Sequence, residues 1–201
     1  MLLSCEYQLL IENFKMKLFK NQWSNIIIAV IILVMIIPST RRPIQIFVNK
    51  LLAFGPSVTS EEERESLADY NWVLEKNNKD RLEFEDLQNK VVIVNFWATW
   101  CPPCIAEMPS FELLYRDYKD KVEFLFVSSE DHETVRGFLN RKKYSIPAYR
   151  PLSKAPDPLN GRTLPTTYVI DKNGAIVIKK IGAADWNSES LRKTIDKLLL
   201  E

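Results

Sequence analysis

The sequence predicts an α/β domain, a mixed β-sheet with helices on both faces, carrying an N-terminal β-hairpin and preceded by a single N-terminal transmembrane helix. Three observations predict it. Val91-Val92-Ile93-Val94-Asn95-Phe96 is the near-continuous apolar run of a strand buried on both faces. A helical pattern and a second such run follow, a β-α-β order that demands a parallel pair. Later, Lys172-Asn173-Gly174 separates two further apolar runs, which marks an antiparallel hairpin in the same sheet.

Taken in order, the chain opens with a segment of residues 1–22 read as cytoplasmic. From Asn21 to Thr40 there are no charged side chains, and Ile26 to Ile37 are all apolar, with Lys20 before and Arg41-Arg42 after. That is just long enough to span a bilayer core of about 20 helical residues. Pro38-Ser39-Thr40-Arg41 offers no small-residue cleavage site, so residues 23–40 are read as an uncleaved signal anchor, with a cleaved signal peptide as the alternative. Met16 opens a compact basic lead, Met-Lys-Leu-Phe-Lys, and is a candidate start of translation; Cys5 would then fall outside the mature protein. Residues 41–66 read as a juxtamembrane segment. In it Ile44, Phe47, Val48, Leu51 and Leu52 have helical spacing, suited equally to a lipid interface or to packing on protein. Ser60 to Glu65 is a polar linker, and the folded domain is expected over 67–201.

Within that domain, Tyr70–Leu74 and Arg81–Phe84 read as a hairpin of edge strands. After the strand at 91–96, a helix is expected from Cys101 to about Tyr118, its buried side marked by Ile105, Met108, Phe111, Leu114 and Tyr115, with a kink at Pro109. Val122–Val127 is a second buried strand. A helix over His132–Lys142 follows the capping residues Ser128-Ser129-Glu130-Asp131. Strands at Thr166–Asp171 and Ala175–Ile181 and a helix over Ser188–Leu200 close the chain. The Pro-rich stretch from Tyr144 to Arg162 is too long for an ordinary connection and is expected to fold over one edge of the site.

Composition narrows the function. The 201 residues carry a formal net charge of +1, but residues 1–56 hold a net +4 and residues 57–201 a net −3. A mildly acidic main domain argues against a nucleic-acid binder. Three cysteines are too few for a disulfide-stapled scaffold, and Cys101 and Cys104 form a C-x-x-C at a strand-to-helix junction, a spacing that points to redox chemistry. Cys101 falls at the helix N-cap, where unpaired N–H groups and the helix dipole favour a thiolate. It is the candidate attacking sulfur, and the shielded Cys104 the resolving one. Pro102 and Pro103 fit the first helical turn, which needs no internal N–H partner. A zinc site would need a second ligand pair, and the single histidine, His132, supplies none; it reads as a surface residue. A copper carrier and an inert structural disulfide remain as weaker readings, the latter because a one-turn loop gains little from closure.

Val-Asn-Phe-Trp-Ala-Thr-Trp-Cys-Pro-Pro-Cys at 94–104 resembles the active-site strand and helix of the thioredoxin superfamily. More narrowly it resembles the membrane-anchored thiol-disulfide oxidoreductases of the TlpA/ResA type, over about residues 67–201. A second motif, Leu164-Pro165-Thr166-Thr167-Tyr168-Val169-Ile170-Asp171, is similar to the segment where that family places a cis-proline opposite its disulfide. The resemblance implies a thioredoxin-like fold, a cis Leu164-Pro165 bond, and substrate contacts from Trp100, Pro102, Pro103, Leu164 and Pro165. Thioredoxin has a buried aspartate where this chain has Asn95, which cannot take a proton. Glu107, one turn beyond Cys104, matches a glutamate that helps tune the active-site thiols in the cytochrome-maturation branch of that family, so the resemblance makes it the candidate proton acceptor, directly or through water, where spacing alone would favour a solvated helix glutamate. Trp100 is expected at a docking surface and Trp97 in the core. The implied function is reduction of extracytoplasmic protein disulfides, for example in cytochrome c maturation, with an envelope thiol oxidase or general exchanger as the alternative. The partners expected are protein thiols and disulfides and a membrane thiol-electron carrier as reductant. No cofactor, metal or nucleic acid is called for, and a monomer held in the cytoplasmic membrane with its redox domain on the periplasmic side is expected.

Overall fold

The computed structural model describes residues 23–33, 37–51, 53–76 and 80–201. The chain divides into two compact parts after Ile44. In the first, residues 23–33 form a helix, α1, apolar on every side from Ile26 onward, with Trp23, Ile27, Ile31 and Leu33 more than half exposed. Helix α2, Pro38–Leu51, crosses the division and starts earlier than its apolar spacing indicates, because Pro38 suits a first turn that needs no N–H. Among the described residues no helix is long and apolar enough to cross a membrane. The continuous span expected over 23–40 is thus not found as one helix: residues 34–36 lie outside the described residues and Pro38 opens a new helix. The expectations about Cys5, Met16 and the cytoplasmic segment also lie outside them.

The second part holds one seven-stranded mixed sheet in the order β2-β1-β5-β4-β3-β6-β7. The strands are β1 (Val73–Lys76), β2 (Arg81–Glu83), β3 (Val92–Phe96), β4 (Glu123–Val127), β5 (Ala148–Pro151), β6 (Thr166–Ile170) and β7 (Ile176–Ile181). Helices α3 (Pro102–Tyr118), α4 (His132–Lys142) and α5 (Glu189–Leu200) complete it. The β1–β2 hairpin forms, but only β2 is an edge, since β1 also pairs with β5. Strand β5 is absent from the sequence reading. Pro147 and Pro151 bracket it and read as punctuation, yet its register needs only two residues beside β4, Ala148 and Tyr149.

The expectation of helices on both faces is corrected. From β3 to β4 to β5 the chain steps the same way across the sheet, and right-handed crossovers then put α3 and α4 on the same face. Buried side chains of α3, α4 and α5 accordingly share one cluster with Ile93, Phe124, Phe126 and Val169. The opposite face, built on Val92, Val94, Phe96 and Leu125, is covered instead by Trp72, Leu74, Phe84, Leu87 and Leu159. Phe84 and Leu87 lie in a 3-10 turn, Phe84–Leu87.

Two expected loops are also more ordered than their composition indicates. The linker runs beside β7: Thr59 donates to the Val177 carbonyl at 2.9 Å, Ile176 to that of Glu65 at 2.8 Å, and Lys179 pairs with Glu65 at 2.8 Å. The Asn-Gly pair is expected to supply positive φ at both residues of the turn, but only Gly174 takes one (82°). Asp171 organises the turn instead, its carboxylate accepting from the backbone N–H of Asn173 (2.9 Å) and Ala175 (2.8 Å). A Cβ at position 174 would also run into the Tyr70 hydroxyl. Gly174→Ala should therefore cost about 1–3 kcal/mol, read as a lowered urea midpoint.

Candidate active site

Strand β3 is buried at every residue, which fixes the site at the centre of the sheet. Its end is held by a Trp97 N–H bond to the Val127 carbonyl at 3.0 Å, and the chain then turns through 98–101 into α3. Cys101 is the N-cap of α3, its sulfur accepting from the Cys104 N–H at 3.3 Å, and Pro102 and Pro103 fill the first turn. The two cysteines form a disulfide with Cα atoms 5.3 Å apart. Both are buried, Cys101 to 3% exposure and Cys104 to 0%, whereas Trp100 beside them is 61% exposed and Trp97 is core.

Register explains the second motif. Strand β6 runs antiparallel to β3 with Phe96 opposite Thr166 and Asn95 opposite Thr167, so Pro165 lies beside the end of β3 where the active-site loop begins. The Leu164-Pro165 bond is cis, as the resemblance implies. Pro165 is buried and Leu164 half-buried, packed against both cores. The Pro-rich stretch does fold over this edge: with Trp100 and Leu164 it encloses a pocket of about 740 Å³.

Glu107 is not a solvated helix glutamate. It is 1% exposed and accepts hydrogen bonds from Trp186 Nε1 (2.8 Å), Asn95 Nδ2 (2.9 Å) and the Ala184 N–H (3.4 Å). Burial pushes its carboxyl up to about 8, against the pull of those three donors. A neutral carboxyl also needs an acceptor. Asn95 Nδ2 also donates to Thr167 Oγ1 at 2.8 Å, while Asn95 Oδ1 is buried and has no hydrogen-bond partner among the described residues. A half-turn of this amide would offer Oδ1 to the Glu107 proton, so Asn95 can serve either protonation state. This carboxyl, ionising near the ordinary thiol range, lies one helical turn beyond Cys104.

Trp186, Thr167 and Glu130 belong to the site and escape the sequence reading. Trp186 comes from the β7–α5 connection, stacked on Phe111 at 4.8 Å, and no spacing in the sequence ties it to Glu107. Thr167 follows only once β6 is paired with β3. Glu130 reads as a helix cap, but Asp131 caps α4 through the Thr134 N–H at 2.9 Å. Glu130 instead grips the active-site loop, accepting from the Thr99 N–H at 2.6 Å and Thr99 Oγ1 at 2.7 Å. His132 is more engaged than a surface residue, its Nε2 lying 2.6 Å from Glu75 Oε2. No group of side chains able to hold a metal ion occurs among the described residues.

Comparison with known proteins agrees with this geometry. The Redoxin family model matches residues 55–198. Thiol-disulfide oxidoreductase ResA of Halalkalibacterium halodurans is 39% identical over 112 residues, which cover 53% of this chain and 62% of that protein. Thiol-disulfide oxidoreductase ResA of Bacillus cereus is 34% identical over 131 residues, covering 64% and 75% respectively. Among solved structures, a DsbF homologue from Corynebacterium diphtheriae superposes with a TM-score of 0.57 at 21% identity, over 70% of this chain and 91% of that one, a likeness of fold.

Proposed function

The chain belongs to the Redoxin family, as a ResA-type member of the thioredoxin superfamily, and from that premise we propose that it is a membrane-anchored reductase of extracytoplasmic protein disulfides. The observation that carries the reading is the Cys101–Cys104 disulfide at the start of α3, backed by the buried Glu107. In the reduced protein the Cys101 thiolate attacks one sulfur of a substrate disulfide; a Cys101–substrate bond forms, the substrate S–S bond breaks, and the departing thiolate takes a proton from solvent. The Cys104 thiol then gives its proton to Glu107 and attacks the Cys101 sulfur, which closes the Cys101–Cys104 disulfide, breaks the Cys101–substrate bond and releases the second substrate sulfur as a thiolate that takes its proton from solvent. Two electrons pass to the substrate. Glu107 returns the proton when a dithiol carrier reduces the protein again.

Trp100, Pro102, Pro103, Leu164 and Pro165 form the surface against which the substrate docks, and a disulfide between the cysteines of apocytochrome c before haem attachment is the substrate in view. The anchor is supported by the apolar run at 26–37, by the exposed apolar side chains of α1, and by the exposed Ile44, Phe47, Val48 and Leu51 of α2. A thiol exchanger outside the cytosol meets disulfides to act on. The reductant would be a membrane thiol carrier, and the protein a monomer without cofactor. Equilibration of the full chain with glutathione and thioredoxin buffers tests the direction. A reductase should poise well below about −200 mV, whereas a value near about −120 mV would make it an oxidant.

A further inference from the structure

We propose that the pocket beside Trp100 is a substrate subsite that selects an acidic side chain close to the substrate's reacting cysteine, through Arg162. This rests on the exchange reading above and adds which polypeptides it favours. The pocket, about 740 Å³, lies between Trp97, Ala98 and Trp100 on the active-site side and the segment 153–164 on the other. Its volume falls within the range of ligand pockets and exceeds one side chain, so it admits a short extended stretch of polypeptide. Phe96, Leu159 and Leu164 give it apolar walls.

The charges lining the pocket are not equivalent. The Glu130 carboxylate is taken up by Thr99, through its N–H and Oγ1, and Lys154 faces Asp157 at 3.5 Å. Arg162 is exposed and has no hydrogen bond or ion pair among the described residues, which leaves one guanidinium with unused donors at the mouth, two residues from the cis Leu164-Pro165 bond.

Arg162 is also firmly presented. Gly161 before it lies flat on the Phe96 ring, so closely that a Cβ would come within 2.6 Å of Phe96 Cδ1. The Tyr168 hydroxyl bonds both the N–H and the carbonyl of Asn160, each at 3.3 Å, and Thr166 Oγ1 donates to the Thr163 carbonyl at 2.6 Å. The backbone on each side of Arg162 is thus tied to the sheet, so that when a carboxylate binds the ordering left to be done is that of the arginine side chain. A free guanidinium on a fixed stretch of backbone beside apolar walls fits an aspartate or glutamate next to an apolar residue, and it repels lysine or arginine at the same place.

The test uses the reduced full chain and peptides whose single cysteine carries a mixed disulfide with 2-mercaptoethanol, one neighbouring residue being Asp, Asn or Lys. Rates are normalised to each protein's own reduction of uncharged hydroxyethyl disulfide. Wild type should favour the Asp over the Lys peptide in the second-order rate constant by about fivefold, the scale of one exposed ion pair, and the preference should shrink in high salt. It should vanish in Arg162→Ala and reverse in Arg162→Glu. A wild-type ratio near one, or the same ratio in Arg162→Glu as in wild type, overturns the subsite while leaving the exchange reading intact. A wild-type protein that reduces neither the peptides nor hydroxyethyl disulfide overturns the exchange reading, and the subsite with it.

Discussion

Cys104→Ser should accumulate mixed disulfides with protein substrates through Cys101, and Cys101→Ser should neither trap substrate nor reduce insulin. Both variants lose turnover completely, but only one leaves a covalent record. The asymmetry follows from placement. Cys101 is the N-cap residue, its sulfur already accepting the Cys104 N–H, so the thiolate formed on reduction inherits that donor and the helix dipole. Cys104 sits in the first turn with no exposed surface, in the cluster with Met108 and Phe111. Non-reducing gels of cells expressing each variant read the result. Trapping by Cys101→Ser in place of Cys104→Ser would reverse the assigned roles, and full activity in either variant would remove thiol exchange from this site.

Glu107→Gln should make the oxidised protein more stable at alkaline pH and erase a pH dependence that wild type shows. The folded carboxyl ionises near 8 and the unfolded one near 4.5. Below 4.5 both states hold the proton and the group adds no penalty. Between 4.5 and 8 only the folded state keeps it, so stability falls as pH rises, and above 8 the full cost of a buried carboxylate is present. At 1.36 kcal/mol per unit, that difference is at most about 5 kcal/mol. Glu75 and Asp131 act in the opposite sense. His132 holds the Glu75 carboxyl low, and the Thr134 N–H that of Asp131, so their contributions are lost as pH falls. Subtracting the variant's urea unfolding profile from that of wild type isolates Glu107. The substituted amide can donate to Asn95 Oδ1 after the Asn95 amide turns, which spares the packing. The same variant should shift the pH profile of thiol alkylation in the reduced protein; unchanged profiles in both experiments would remove Glu107 from the proton step.

Much of this site is legible in the sequence because its parts are local. The buried run at 91–96, the Cys-Pro-Pro-Cys turn and the helix to Tyr118 are contiguous, and their roles depend on backbone geometry that neighbouring residues set. The cis-proline segment is legible only through resemblance, since an isolated proline does not announce its isomer. Helix α4 is found at its expected bounds because Asp131 and the left-handed Lys143 terminate it locally. Strand β5 is missed because Pro147 and Pro151 make its own composition read as a loop, it pairs with β4 through only two residues, and its other partner, β1, lies far away in the sequence.

By itself the sequence determines the redox pair, which cysteine caps the helix, the βαβ core, and the division between a basic, apolar leader and an acidic domain. Each of these rests on interactions within a few residues, or on composition. Tertiary structure decides what lies around Glu107. Asn95 on β3, Trp186 after β7 and the Ala184 N–H converge on one carboxylate only when the sheet is assembled, and their convergence removes it from water. It also decides that α3, α4 and α5 share one face, because the direction in which the chain steps across the sheet is a property of strand pairing. The unpaired Arg162 at the pocket mouth has the same origin: a lone arginine in a Pro-rich loop acquires meaning from Phe96, Tyr168 and Thr166, which hold that loop against the sheet beside the disulfide.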